Sequence, residues 1–182
     1  ANIYVNYGDG STTGYYAVAQ WAALTVYSST SNGGRGDYVR QLAAPSVGSE
    51  RVFRCTTAGT SLISETSWTL TKNATTTEVA GPVWTECTGQ EADQVSGTWK
   101  APHARLANGL ASTWGAAGDN FFVGDNHAET QAAAMTLTPP GTAASPNTIL
   151  CVLRTGTVPP VSAALRTTAT ISTTGNNALI WA

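Results

Sequence analysis

The stretch TWKAPHARLANGLASTWGAAGDNFFVGDNHAET, residues 98–130, decides the fold. Leu106, Leu110 and Trp114 recur every four residues with Ala107 and Ala111 between them, which predicts a helix of about four turns carrying one apolar stripe. Pro102 suits its first turn, and Gly115 and Gly118 end it. A short strand, Asn120 to Val123, follows at once and runs into a polar turn, Gly124-Asp125-Asn126-His127. An apolar-faced helix leading straight into a strand needs something to cover.

Downstream, Ala132 to Thr138 runs into Pro139-Pro140-Gly141, and Thr148 to Leu153 is a strand apolar on both faces. Pro159-Pro160 breaks the chain again before Ala169 to Asn177 and Ala178 to Trp181, two short strands joined by a Gly-Asn turn. The run of capping helix, Gly118-Asp119 turn, strand and polar turn with His127 and Glu129 resembles the start of a right-handed parallel β-helix of the pectate-lyase-like kind, over roughly residues 92–182. That resemblance implies a helix plugging one end of a solenoid and short strands stacking beyond it. About three candidate rungs fit between Phe121 and Trp181, near the least that buries a continuous core. The chain is expected to be either a fragment of a longer protein or one completed by a partner or by identical subunits.

Upstream, Ile3 to Tyr7 alternates as a strand and stops at Gly8-Asp9-Gly10, while the Ser-, Thr- and Gly-rich residues 11–34 surround an apolar patch with no clear period. From Trp21 to Cys87 short strands recur at Gly36 to Arg40, Arg51 to Thr56, Ser67 to Leu70 and Val83 to Cys87, a spacing that suits a small antiparallel sheet. The expected division is therefore 1–20 as strand and linker, 21–88 as an inserted β module, and 89–182 as capping helix and body. The fold class is all-β with one short helix, the body β-helix-like or β-sandwich-like. The order Trp21, Tyr27, Gly36-Asp37-Tyr38-Val39, Val52-Phe53-Arg54-Cys55 and Trp68 is similar to small chitin-binding modules. The strings from Phe53 to Ser61 and from Val83 to Cys87 also resemble a module of tailed-bacteriophage appendage proteins. By the resemblance to chitin-binding modules, Tyr38, Trp68 and Trp84 form a candidate glycan platform, because sugar C–H groups pack on exposed aromatic faces.

Composition narrows the function. With 11% charged residues and a net charge of -2 there is no basic surface for nucleic acid, and no apolar stretch is long enough to span a membrane as a helix. Cys55, Cys87 and Cys151 make an odd count without CxxC spacing, which argues against zinc and favours free thiols. Ala1 has the look of a residue exposed by removal of an initiator Met, pointing to synthesis in a cytoplasm. Arg35-Gly36-Asp37 is expected to be a turn rather than an adhesion signal, and Asn73-Ala74-Thr75 is a sequon with no visible secretory route.

His103 and His127, with Asp119, Asp125 and Glu129 around the latter, are the groups to weigh for acid–base chemistry or metal binding. Side chains of these types at a turn more often satisfy backbone groups, so neither a catalytic set, a metal nor a cofactor is expected. The composition and the resemblances together point to a structural protein of a tailed-phage virion, a decoration, cement, fibre or appendage protein assembled in the host cytoplasm. The alternatives are a carbohydrate-binding adhesion module and the N-terminal part of a polysaccharide-degrading tailspike. Expected partners are other virion proteins, a cell-surface glycan and further copies of the chain, as a trimer by analogy with phage appendages. Leu179, Ile180 and Trp181 are the expected oligomer interface, since an apolar terminal strand invites a neighbour.

Overall fold

A computed structural model describes residues 1–6, 18–44, 48–111 and 113–182; the turn expected at Gly8-Asp9-Gly10 and the stretch 11–17 lie outside them. The fold is mainly β, with two short helical segments. The chain forms two compact units: Ala1–Ala17 with Gly89–Ala182, and Val18–Thr88.

The first unit contains β1 (Asn2–Val5), which belongs to the body rather than to a linker, and then β8 (Gln94–Val95) and β9 (Thr98–Trp99) in a small antiparallel pair. Next come α2 (Leu106–Leu110), β10 (Asn120–Gly124), β11 (Ala128–Gln131) and β12 (Met135–Leu137). The last set is β13 (Thr148–Val152), β14 (Thr170–Thr173) and β15 (Leu179–Trp181). The pairing follows one rule: β10 lies parallel to β13, β11 to β14 and β12 to β15, with β1 parallel to β10 on the other side. The chain thus makes the same three-strand circuit twice, the second laid on the first. The two terminal strands do not pair with each other across the Gly-Asn turn. Each instead finds its partner one circuit back, where its apolar residues can continue an existing row.

Parallel register places matched side chains on the same face. Ile3, Phe121 and Ile149 form one inward row, Val5 and Val123 another, and Met135 and Leu137 face them together with Leu106 and Leu110 of α2. The other face of the β1-β10-β13 sheet is also buried: Tyr4, Phe122 and Val152 pack with Trp99 and the half-buried Leu150. This explains why residues 148–153 read as apolar on both sides.

The helix is shorter than its periodicity predicts, five residues rather than the run from Pro102 to Trp114. His103 is held extended beside β1, donating its N–H to the Tyr4 carbonyl at 2.8 Å, so the helix cannot begin before Arg105. The Asn108-Gly109 pair inside it propagates a helix poorly. Trp114 lies beyond the helix but is still buried, edge-on to the His103 ring at 5.1 Å.

The second unit holds β2 (Val26–Tyr27), α1 (Ser31–Gly34), β3 (Tyr38–Arg40), β4 (Val52–Thr57), β5 (Gly59–Thr60), β6 (Thr75–Thr77) and β7 (Val83–Glu86). Its sheet is antiparallel in the order β3-β4-β7-β6, with β2 and β5 as a separate pair. Ser67 to Leu70, expected to be a strand, is irregular chain. Trp21, Tyr27, Val39, Phe53, Cys55 and Trp84 form the core. The three cysteines are free thiols, and burial pushes the Cys55 thiol up to about 11, with the Asp37 charge adding to it.

Candidate functional site

The inward rows change character at the last circuit. Phe121, Val123, Met135 and Leu137 in the first circuit are all buried. Their partners one circuit on are Ile149, Cys151, Leu179 and Trp181. None of these four is fully buried; Leu179 is 39% exposed and Trp181 58%. Ile180, 45% exposed, alternates to the outer face. Leu165, which the sequence reading did not single out, is exposed and bridges to Val152 at the end of β13, and Val161 is exposed as well. The exposed large apolar side chains described in this unit therefore all lie after Val152. The opposite end is closed. There α2 packs against Ile3 and Val5, and the free edge of β1 is occupied by Gly89 and His103, through Tyr4 N–H to the Gly89 carbonyl at 3.0 Å and Asn6 N–H to the His103 carbonyl at 2.8 Å.

The carboxylates and imidazoles do not converge on one point. Asp119 accepts the Ala116 N–H at 2.9 Å and Asp125 the Arg154 N–H at 3.0 Å. Glu129, buried on β11, accepts the Leu106 N–H at 2.9 Å and so satisfies a donor at the start of α2. His127 Nε2 lies 3.3 Å from the same carboxylate, and Gln131 donates to its other oxygen at 2.9 Å. Burial alone raises the Glu129 pKa, but the adjacent His127 imidazole and the hydrogen bonds from Leu106 and Gln131 outweigh it and hold the group below its usual value. The cluster ties the second strand of a circuit to the cap. Among the described residues no group of three or more His, Cys, Asp or Glu side chains is placed to hold a metal ion.

The three aromatics of the expected platform are not presented together. Trp84 is 0% exposed at the centre of the core, edge-on to Tyr27 at 4.8 Å, and Tyr38 is 8% exposed. Trp84 lies on the inward face, where a ring of this size buries most area, and Tyr38, which alternates with the core residue Val39, is buried on the opposite face of β3, so neither ring is open to a sugar. Trp68 alone is half-buried: one face stacks on Phe53 with centroids 4.0 Å apart, and its indole N–H donates to Glu65 at 2.7 Å. Glu65 is itself fixed by the Leu42 and Ala43 N–H groups at 2.6 and 2.8 Å. Trp68, Leu70, Glu65, Thr66, Ser67 and Gln41 line a shallow groove of about 500 Å³. Sequence reasoning found Trp68 but not Glu65, whose only trace is its position three residues earlier.

A second carboxylate, Glu78, escaped the sequence reading altogether. It is buried, and it accepts the Trp84 and Trp21 indole N–H groups at 2.8 and 3.2 Å and the Leu62 N–H at 2.7 Å, joining three segments of the unit. The Arg35-Gly36-Asp37 string is structural: Asp37 accepts the Ser28 N–H and the Ser31 hydroxyl, each at 2.6 Å, and Gly36 is buried at φ +92°. Comparison of the chain with family models, curated proteins and solved structures gives no match.

Proposed function

We propose that this chain is a non-enzymatic structural protein of a tailed-bacteriophage virion, attached to the capsid or tail as a decoration, cement or appendage protein. The observation that carries this reading is the group of exposed apolar side chains Leu179, Ile180 and Trp181 on the second circuit, beside a first circuit whose inward residues Phe121, Val123, Met135 and Leu137 are buried. Exposed apolar side chains beside a buried row make a surface that a further layer or a neighbouring protein covers. The carboxylates that sequence reading weighed for chemistry are instead engaged with backbone donors, which supports a structural role. The low charge and Thr-rich strands agree with it. Quantitative mass spectrometry of gradient-purified particles tests the proposal: the chain is expected at a fixed copy number per virion, and its absence from intact particles refutes the assignment.

A second reading, adhesion to a surface glycan, is favoured by the Trp68 groove. There a pre-oriented indole with a partly open surface stands beside an amide, a carboxylate and hydroxyls, the combination that holds a pyranose ring. Binding on a glycan array that disappears in Trp68→Ala while the fold persists supports this reading. An array without any binding removes it.

A further inference from the structure

We infer that the Trp68 groove takes an uncharged pyranose and turns away acidic sugars, with Glu65 as the residue that both positions the indole and sets this selectivity. This rests on the second reading of the function, adhesion to a glycan through that groove, and it names the class of glycan.

The charge of the groove decides the class. Among its described lining residues none is a lysine, an arginine or a histidine, and Glu65 is the one ionisable group. Arg51, whose backbone N–H bonds to the Gln41 side-chain oxygen at 2.8 Å, directs its positive charge at the Glu86 carboxylate instead. A uronic or sialic acid seated here would bring its carboxylate beside that of Glu65, partly out of water and with no counter-charge, where like charges repel strongly. A neutral ring meets no such cost: its C–H face packs on the indole, and the Thr66 and Ser67 hydroxyls and the Gln41 amide N–H₂ are the groups left to bond its hydroxyls.

The repulsion is built in because Glu65 cannot swing aside. Its Oε1 accepts the Trp68 indole N–H at 2.7 Å and the Leu42 N–H at 2.6 Å, and its Oε2 accepts the Ala43 N–H at 2.8 Å. Turning the carboxylate out of the groove would release all three donors at once. The indole is held from two sides, by Phe53 stacked on one face and by Glu65 at its N–H edge. These bonds also allow charge and position to be separated. Glu65→Gln keeps the oxygen that serves both the indole and Leu42 while removing the charge, whereas Glu65→Ala removes both.

An array carrying neutral oligomers of glucose, galactose and N-acetylglucosamine beside oligogalacturonate and sialylated glycans tests this with the full chain. It is read at about 0.01 M and about 1 M salt, where the screening length is about 30 and about 3 Å. Neutral glycans are expected to bind at both salts. Acidic ones should bind at least about 10-fold more weakly at low salt, with the gap narrowing at high salt. Glu65→Gln should keep the neutral binding and close the gap at low salt; Glu65→Ala should weaken every glycan, as Trp68→Ala does. Circular dichroism and thermal unfolding establish that the variants are folded. Acidic glycans bound as tightly as neutral ones through Trp68 overturn the selectivity and leave the adhesion reading standing. A gap that persists in Glu65→Gln overturns the role given to Glu65, and an array without any binding removes both the selectivity and the reading it rests on.

Discussion

Replacing Glu78 by Ala is expected to unfold the Val18–Thr88 unit while leaving the other unit folded. The carboxylate takes three hydrogen bonds, from the Trp21 and Trp84 indoles and from the Leu62 amide, and it is almost wholly buried, as are both rings. Removing the acceptor strands the two buried indole donors, at about 1–3 kcal/mol each, or roughly 2–6 kcal/mol together, and also frees the part-buried Leu62 N–H. A unit of roughly 70 residues has a total stability of about 4–10 kcal/mol, so the loss is a large share of the whole. Glu78→Gln should be milder, since one oxygen remains while an amide N–H₂ turns toward at least one existing donor; a cost of about 2–3 kcal/mol is expected. Amide hydrogen exchange read by peptide resolves the two units. In Glu78→Ala, the peptides of β3, β4 and β7 should lose protection while those of β10 and β12 keep theirs. Unchanged protection in β4 and β7 would refute the claim that this carboxylate ties the unit together.

The remaining predictions concern single groups. Burial raises the Glu86 carboxyl from 4.5 to about 7, against the lowering by Thr88 and Arg51, so between those values the folded state keeps a proton that the unfolded chain has lost. Its contribution is thus present below about pH 4.5 and is lost as pH rises toward 7, by about 3 kcal/mol; the stability difference between wild type and Glu86→Gln, measured in urea from pH 5 to 8, should follow this slope, and a flat difference contradicts it. Leu110→Asp places a charge under Ile3 and Val5 and should destabilise the first unit by about 3 kcal/mol or more in thermal unfolding, with no change if α2 is not a cap. Gly36→Ala drives a Cβ into the Cys55 carbonyl at a left-handed backbone position, and a well-folded, undiminished Val18–Thr88 unit in that variant would show that the turn is not fixed as described.

What was legible in the sequence was local and apolar. The Leu106 and Leu110 stripe, the Phe121 to Val123 strand and the two-sided apolar run at 148–153 each reach the element expected of them, because burial of those side chains is what forms it. The helix is shorter than the spacing suggests, since that spacing continues to Trp114 while the His103 backbone is bonded to β1 and the Asn108-Gly109 pair propagates a helix poorly. β11 was missed because Ala128-Glu129-Thr130-Gln131 is polar; it is a strand only through its partner β14 and through a buried Glu whose ligands lie 23 residues away and nearby on the turn. The aromatic residues of the inserted unit were visible as a set, but a list of Trp and Tyr does not say which face a ring presents. Trp84 went to the centre and Trp68 to the rim according to strand phase and the Glu65 and Glu78 acceptors, neither of which leaves a pattern in sequence.

Burial of the inward row in the first circuit and its exposure in the second underlie the proposed role. Strand-resolved hydrogen exchange of the free chain at rising protein concentration tests this most directly. Slow exchange is expected in β10 and β12 at every concentration, with faster exchange in β13 and β15 when dilute and a gain of protection in β15 wherever a neighbour covers it. Equal protection of both circuits in dilute solution, or a β15 that concentration leaves untouched, would contradict it.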